Sequence, residues 1–255
     1  MSSYIYSIVL GIVEGFTEFL PISSTAHLVL VSEILKIGQT NFTKTFEIAI
    51  QSGAILAVIV FYWRKFIDFE TLKRVIVAFI PTGIIGLLLY KVVRGFLLGN
   101  ISVVLWALAL GGIVLILFEK VFKEKASIGD IKDISYGKAV IIGVWQSVAI
   151  IPGVSRSAAT IIGGMLVGVS RKAIVEFSFL LAVPTMLAAT SLDILNNYTQ
   201  FSSSQFFSLG IGLITAFVTA VLGIKFFLNY IKNHSFVAFG ICRIILVVVF
   251  ILFLL

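Results

Sequence analysis

Apolar runs of about twenty residues recur along the whole of this chain. A water-soluble domain cannot cover so many of them, because each run is long enough to cross a bilayer core about 30 Å thick. Composition agrees: 60% of the 255 residues are hydrophobic and only 12% are charged, with mean hydropathy +1.14, whereas soluble domains carry about 25% charge. The chain reads as a polytopic integral membrane protein. Six full spans are expected, at 45–63, 72–91, 101–119, 173–192, 205–229 and 236–254. The first apolar run is not expected to be a cleavable leader, since it lacks a basic start and contains Glu14 and Glu18. The formal net charge of +7 is scattered through short loops without a basic stripe, so no nucleic-acid partner is expected. The single Cys242 excludes an intrachain disulfide.

Two further apolar segments do not fit a span. Residues 5–36 are interrupted by LPISST and residues 138–169 by IPGVSRS. Each is too long for one helix, and each half is too short to cross. Both are expected to be re-entrant helical hairpins, because irregular backbone survives at membrane depth only inside protein or beside a water-filled cavity.

The broken segments resemble each other. Shifting by 132 residues without a gap brings Gly11 onto Gly143, Glu14 onto Gln146, Ser23 onto Ser155, Thr25 onto Ser157 and Ala26 onto Ala158. The fold expected is therefore all-α and polytopic: two inverted repeats of one hairpin plus three spans, forming a single integral membrane domain over 1–255. Repeat 1 covers about 1–120 and repeat 2 about 138–255. Matching interrupted segments in two halves point to a binding site near the bilayer midplane.

With six spans, one set of loops holds Arg64, Lys65, Lys73, Arg74, Lys120, Lys123, Lys125, Lys132, Lys138, Arg171, Lys172, Lys225 and Lys232, thirteen of the nineteen basic residues. The opposite set holds Lys36, Lys44, Lys91 and Arg94. The positive-inside rule makes the first set cytoplasmic and both termini external. The first hairpin then enters from outside and the second from the cytoplasm.

Within the hairpins lie the residues able to do chemistry. Glu14 and Glu18, at i and i+4, share a helix face. Buried carboxylates in a membrane need compensation, so the pair reads as a divalent-metal site or an acid/base pair, against an interhelical polar contact or a helix end at the interface. Ser23, Ser24 and Thr25 follow Pro21, and one of them suffices as an N-cap. His27 is three residues beyond Ser24, so its imidazole is a candidate base for that hydroxyl. In PGVSRSAAT (152–160), Ser155 and Ser157 can cap a helix whose N-terminus, with Arg156, suits phosphate oxygens; alternatively Arg156 only neutralises Glu14 or Glu18. Arg243, in the last span, could snorkel or line the lipid cavity, but a structural pair with Glu176 or Asp193 is expected. Glu47 and Gln51 either extend the polar site or mark its mouth.

The stretches EGFTEFLPISSTAH (14–27), TFEIAIQSGAILAV (45–58) and PGVSRSAAT (152–160) resemble the undecaprenyl-diphosphate phosphatases of the bacterial plasma membrane, also called bacitracin-resistance proteins. The hydropathy layout is similar along the whole length. That resemblance implies a multi-pass plasma-membrane phosphatase with its active site toward the outer face. It implies removal of the terminal phosphate from a C55 polyprenyl diphosphate, returning the monophosphate carrier of cell-wall synthesis. A divalent cation, Mg2+ or Ca2+, is implied as cofactor, with Glu14 and Glu18 as the motif glutamates. Ser24 corresponds to the serine proposed as nucleophile, His27 to the motif histidine and Arg156 to the motif arginine. Ser155, Ser157, Ser23 and Thr25 are the further phosphate-binding candidates. Ala26 and Ala158 stand where the family often has Gly. The partners expected are the polyprenyl diphosphate lipid and the bacterial membrane, with a homodimer left open. Bacitracin is expected to compete for the substrate rather than to bind the protein. A transporter or flippase of a phosphorylated polyprenyl lipid is the alternative from another class.

Overall fold

The computed structural model describes residues 3–38, 40–98, 100–123, 127–197 and 203–254. The described elements are helical throughout: α1 (Ser3–Thr17), α2 (Ser24–Ile34), α3 (Asn41–Phe66), α4 (Phe69–Val92), α5 (Ile101–Val121), α6 (Tyr136–Ser147), α7 (Arg156–Leu166), α8 (Arg171–Asn197), α9 (Ser203–Tyr230) and α10 (Val237–Leu254). A π-helical turn, Val93–Leu97, extends α4, and a 3-10 turn, Val148–Ile150, extends α6. Side-chain caps set most of the starts: Ser23, Thr40, Asp68, Asn100, Ser135 and Ser155 each accept a bond from a backbone N–H in the first turn they precede.

Among the described residues, five helices are long and apolar enough to cross a membrane: α3, α4 with its π turn, α5, α8 and α9. The chain is an all-helical polytopic membrane protein. The sixth expected span, 236–254, folds as α10, a shorter apolar helix. Lys125, one of the thirteen basic loop residues, lies outside the described residues.

Both interrupted segments break where Pro and hydroxyl residues fall. The first gives α1 and α2, of 15 and 11 residues; the second gives α6 and α7, of 12 and 11. Even 15 residues span only about 22 Å, too short to cross the core alone.

In a bilayer, helices associate by close packing rather than by escape from water. Here α1 lies along α9 and α6 along α4; α3 also packs on α9, α8 on α4, α3 on α8, and α5 on α10. Glycines permit close approach of both hairpins to their partner helices. A Cβ at Gly11 would meet Gly212 O at 2.7 Å on α9, and one at Gly143 would collide with Ala78 O on α4. These are the two glycines that the 132-residue shift superposes. Phe19, in the break between α1 and α2, is fully buried and packs edge-to-face on Phe179 of α8, centroids 5.1 Å apart. The turn is thereby anchored in the main core.

Candidate active site

The two helix breaks meet. Ser157 Oγ of α7 donates to Phe19 O at 3.0 Å, joining one hairpin turn to the other. The cap serines hold both turns: Ser23 Oγ accepts from Ala26 N at 3.4 Å and Ser155 Oγ from Ala158 N at 3.2 Å. Ser23 does so at a φ of 70°, a left-handed conformation that costs a non-glycine residue about 1–3 kcal/mol and that collects at functional sites.

Glu18 is the hub. Its Oε2 accepts from Ser24 Oγ at 2.5 Å, and its Oε1 from Arg156 Nη2 at 2.7 Å. The carboxylate is 5% exposed, so it bridges the hydroxyl of one hairpin to the guanidinium of the other where water competes little. Arg156 Nη1 donates to Ser178 O at 2.7 Å and Oγ at 3.2 Å on α8, while its buried Nε has no acceptor. The guanidinium stands 6.0 Å from the Phe19 ring centroid. Arg156 is also the first residue of α7, so its charge adds to the unbonded N–H groups of that helix end.

Glu14, one turn before Glu18, is fully buried, and neither of its oxygens accepts a hydrogen bond from a protein donor. The charged groups acting on it are Glu18, Glu47 and Arg156. Arg156 compensates the Glu18 carboxylate, whereas the adjacent Glu14 has no such partner, and these hard oxygen donors fit Mg2+ or Ca2+. Among the described residues no group of three or more His, Cys, Asp or Glu side chains is placed to hold a metal alone. A cation here would need phosphate oxygens as well, which is how Mg2+ is commonly held. Glu47 accepts from Ser32 Oγ at 2.8 Å.

Ser24 and His27 are not brought together. His27 Nδ1 bonds Ser23 O at 2.8 Å, the half-buried ring feels the charge of Arg243, and the hydroxyl of Ser24 is directed to Glu18. Arg243 also departs from expectation. Instead of pairing with Glu176 or Asp193 it donates to main-chain carbonyls, and Asp193 is held by Arg94.

A cavity of about 280 Å³ opens against these groups. Glu18, Ser23, Ser24, Thr25, Ser155 and Arg156 line it; Glu14, His27 and Ser157 do not. Gln51 belongs to its lining as well. The cavity continues between α4 and α8 past Gly83, Gly86, Leu87, Ala188 and Ala189 to Tyr90, Arg94 and Asp193. Thr82 and Arg94, both in its lining, are about 18 Å apart along the helix at 1.5 Å per residue.

Two sets of lining residues were not read from sequence. Gln146 Nε2 donates to Thr82 Oγ1 and Thr185 Oγ1, both at 3.0 Å, tying α6 to α4 and α8. Tyr90 and Arg94 both donate to Asp193. Single hydroxyls within apolar spans carry no sequence signal, and Arg94 reads as one more loop cation until α4 is seen to run on through its π turn.

Residues 7–249 match the profile of the family described as bacitracin resistance protein BacA. The chain is 53% identical to an undecaprenyl-diphosphatase of Aquifex aeolicus, over 98% of each chain. It is 54% identical to that of Persephonella marina over 98% of this chain and 99% of the relative. To that of Methanococcus aeolicus it is 46% identical, over 96% of each. With a match that leaves out only a few residues at each end, the chain belongs to the BacA bacitracin-resistance protein family.

Proposed function

We propose that this chain is an undecaprenyl-diphosphatase: it hydrolyses undecaprenyl (C55) diphosphate to undecaprenyl phosphate and inorganic phosphate, recycling the lipid carrier and conferring bacitracin resistance. The observation that carries the reading is Glu18, whose carboxylate joins the Ser24 hydroxyl to the Arg156 guanidinium at the wall of a membrane-embedded cavity. A hydroxyl, a base and a phosphate-binding cation are the parts that phosphoryl transfer needs.

In the mechanism we favour, Glu18 takes the proton of Ser24 as its Oγ attacks the terminal phosphorus. The bond from phosphorus to the bridging oxygen breaks, and its electron pair leaves with the lipid monophosphate. Water then cleaves the phosphoserine and a proton returns to Ser24. Arg156 exchanges Glu18 for phosphate oxygens and, with the N–H groups at the start of α7, stabilises charge in the transition state. Ser23, Ser155 and Thr25 line the phosphate pocket, and Ser157 holds the turns together. With Nδ1–H donated to Ser23 O, His27 keeps Nε2 as an acceptor able to relay a proton. Glu14 and Glu18 would hold the divalent cation, which when bound neutralises phosphate charge. The prenyl tail lies between α4 and α8, where Gly83, Gly86 and Ala189 leave room.

We further place the protein in the bacterial inner membrane as two inverted repeats with six spans and two re-entrant hairpins, its site toward the outer face. The exchange of partners supports this: α1 packs on α9 as α6 packs on α4, each hairpin lying on the second long helix of the other half. The same architecture favours a second reading, a flippase of phosphorylated polyprenyl lipid.

Phosphate release from C55 and C15 diphosphates by purified protein in detergent separates the two, since a flippase releases none. Wild type should turn over and lose activity with chelator. Glu18→Gln and Arg156→Ala should each lower kcat by at least about 100-fold. Gly86→Leu, whose Cβ meets open space, should slow the C55 substrate more than the C15. Undiminished turnover in both Glu18→Gln and Arg156→Ala would overturn the site.

A further inference from the structure

Arg243 is a large, fully buried charge, 1% exposed, in the middle of the apolar α10. Among the described residues no carboxylate pairs with it. Its guanidinium instead collects main-chain carbonyls: Nε to Leu108 O at 3.3 Å, Nη2 to Ala107 O at 3.0 Å and Gly153 O at 2.9 Å, and Nη1 to Pro21 O at 3.5 Å. Two of these carbonyls belong to α5. The other two belong to the two hairpin turns, and they are equivalent residues, since a shift of 132 carries Pro21 onto Gly153. One side chain therefore grips the same point of both turns.

The choice of residue follows from the backbone. The turns are not helical, so their carbonyls lack the partners that a helix supplies, and Pro21 and Gly153 are buried, so an unmatched carbonyl there would be costly. Carbonyls from three directions require several donors in a rigid plane, which a guanidinium has and an ammonium lacks. Ser24 lies three residues after Pro21 and Arg156 three after Gly153. The separation of the two gripped carbonyls thus sets how far the hydroxyl of one hairpin stands from the guanidinium of the other.

We propose that Arg243 is the positioning residue of the reaction: by tying Pro21 O to Gly153 O against α5, it holds Ser24, Glu18 and Arg156 in the geometry for phosphoryl transfer. This rests on the phosphatase reading. A misplacement of about 1 Å can cost 100-fold in rate, so the effect belongs in kcat. A mere fastening of α10 to α5 would act on stability and would be served by other buried side chains.

A second handle exists at Gly111 on α5, where an added Cβ would collide with the Arg243 guanidinium. Gly111→Ala leaves the charge present and only displaces the group that makes the grip. The experiment is phosphate release from C15 diphosphate in detergent for wild type, Arg243→Lys, Arg243→Met and Gly111→Ala, with thermal unfolding followed in parallel. The expected result is kcat lowered by about 100-fold in Arg243→Met and Gly111→Ala, KM nearly unchanged, and no rescue of kcat by Arg243→Lys. Should Arg243→Met not fold, Gly111→Ala and Arg243→Lys carry the test. Wild-type kcat in Arg243→Lys or Gly111→Ala overturns the proposal, as does a rise in KM at unchanged kcat. A wild-type protein that releases no phosphate overturns the phosphatase reading instead.

Discussion

Glu18 is the side chain on which both halves of the site converge, and its neighbours show what local spacing can and cannot foretell. Ser24 and His27 sit at i and i+3 on α2, a spacing that reads as hydroxyl plus base. Side chains on a helix lean toward its N-terminus, and Ser24 opens α2, so its hydroxyl turns back into the break and meets Glu18. The carboxylate, not the imidazole, is therefore the group in contact with the nucleophile candidate. Ser24→Ala tests the covalent route: turnover should fall by at least about 100-fold, and no phosphoenzyme should be trapped with labelled substrate. Substantial turnover in Ser24→Ala would instead assign the attack to water.

At the scale of elements, caps and breaks were legible because they are local. Pro21 and Pro152 with their serines announce two interruptions, and the structure ends α1 and begins α7 at those places. The π turn after α4 was not legible, since five residues of altered pitch leave no periodic trace. Asp68 provides a test of capping outside the spans. It accepts from Thr71 N at 3.1 Å and Thr71 Oγ1 at 2.5 Å, and pairs with Lys132 at 3.0 Å. The Thr71 hydroxyl first, then Lys132, hold its carboxyl down at about 2. A carboxyl depressed in the folded state adds stability above its unfolded value near about 4, and that contribution is lost as pH falls toward 2. Asn still caps but carries no charge. Asp68→Asn should accordingly unfold at a lower temperature than wild type near pH 6, with the gap closing between about pH 4 and 2; a gap independent of pH would remove the charge from the account.

The molecule as a whole is ordered by the exchange of partners between its halves and by the sign of its loops. In the six-span reading, thirteen basic loop residues on one side and four on the other predict external termini. In a Cys242→Ser background, Lys36→Cys should react with a membrane-impermeant maleimide in intact spheroplasts. Lys132→Cys should react only after permeabilisation, and the reverse pattern would invert the orientation. Apolar length, the two broken segments and the resemblance between them are properties of contiguous residues, so sequence alone determined the class of fold, the two helix breaks and the residues worth suspecting. Which of those residues meet was decided only by tertiary structure. Arg156 reaches Glu18 across 138 residues and Arg243 reaches Pro21 across 222. A buried charge takes whichever partner the packing of helices brings within hydrogen-bond range, and for Arg243 that partner was backbone, which leaves no mark in the pattern of side chains.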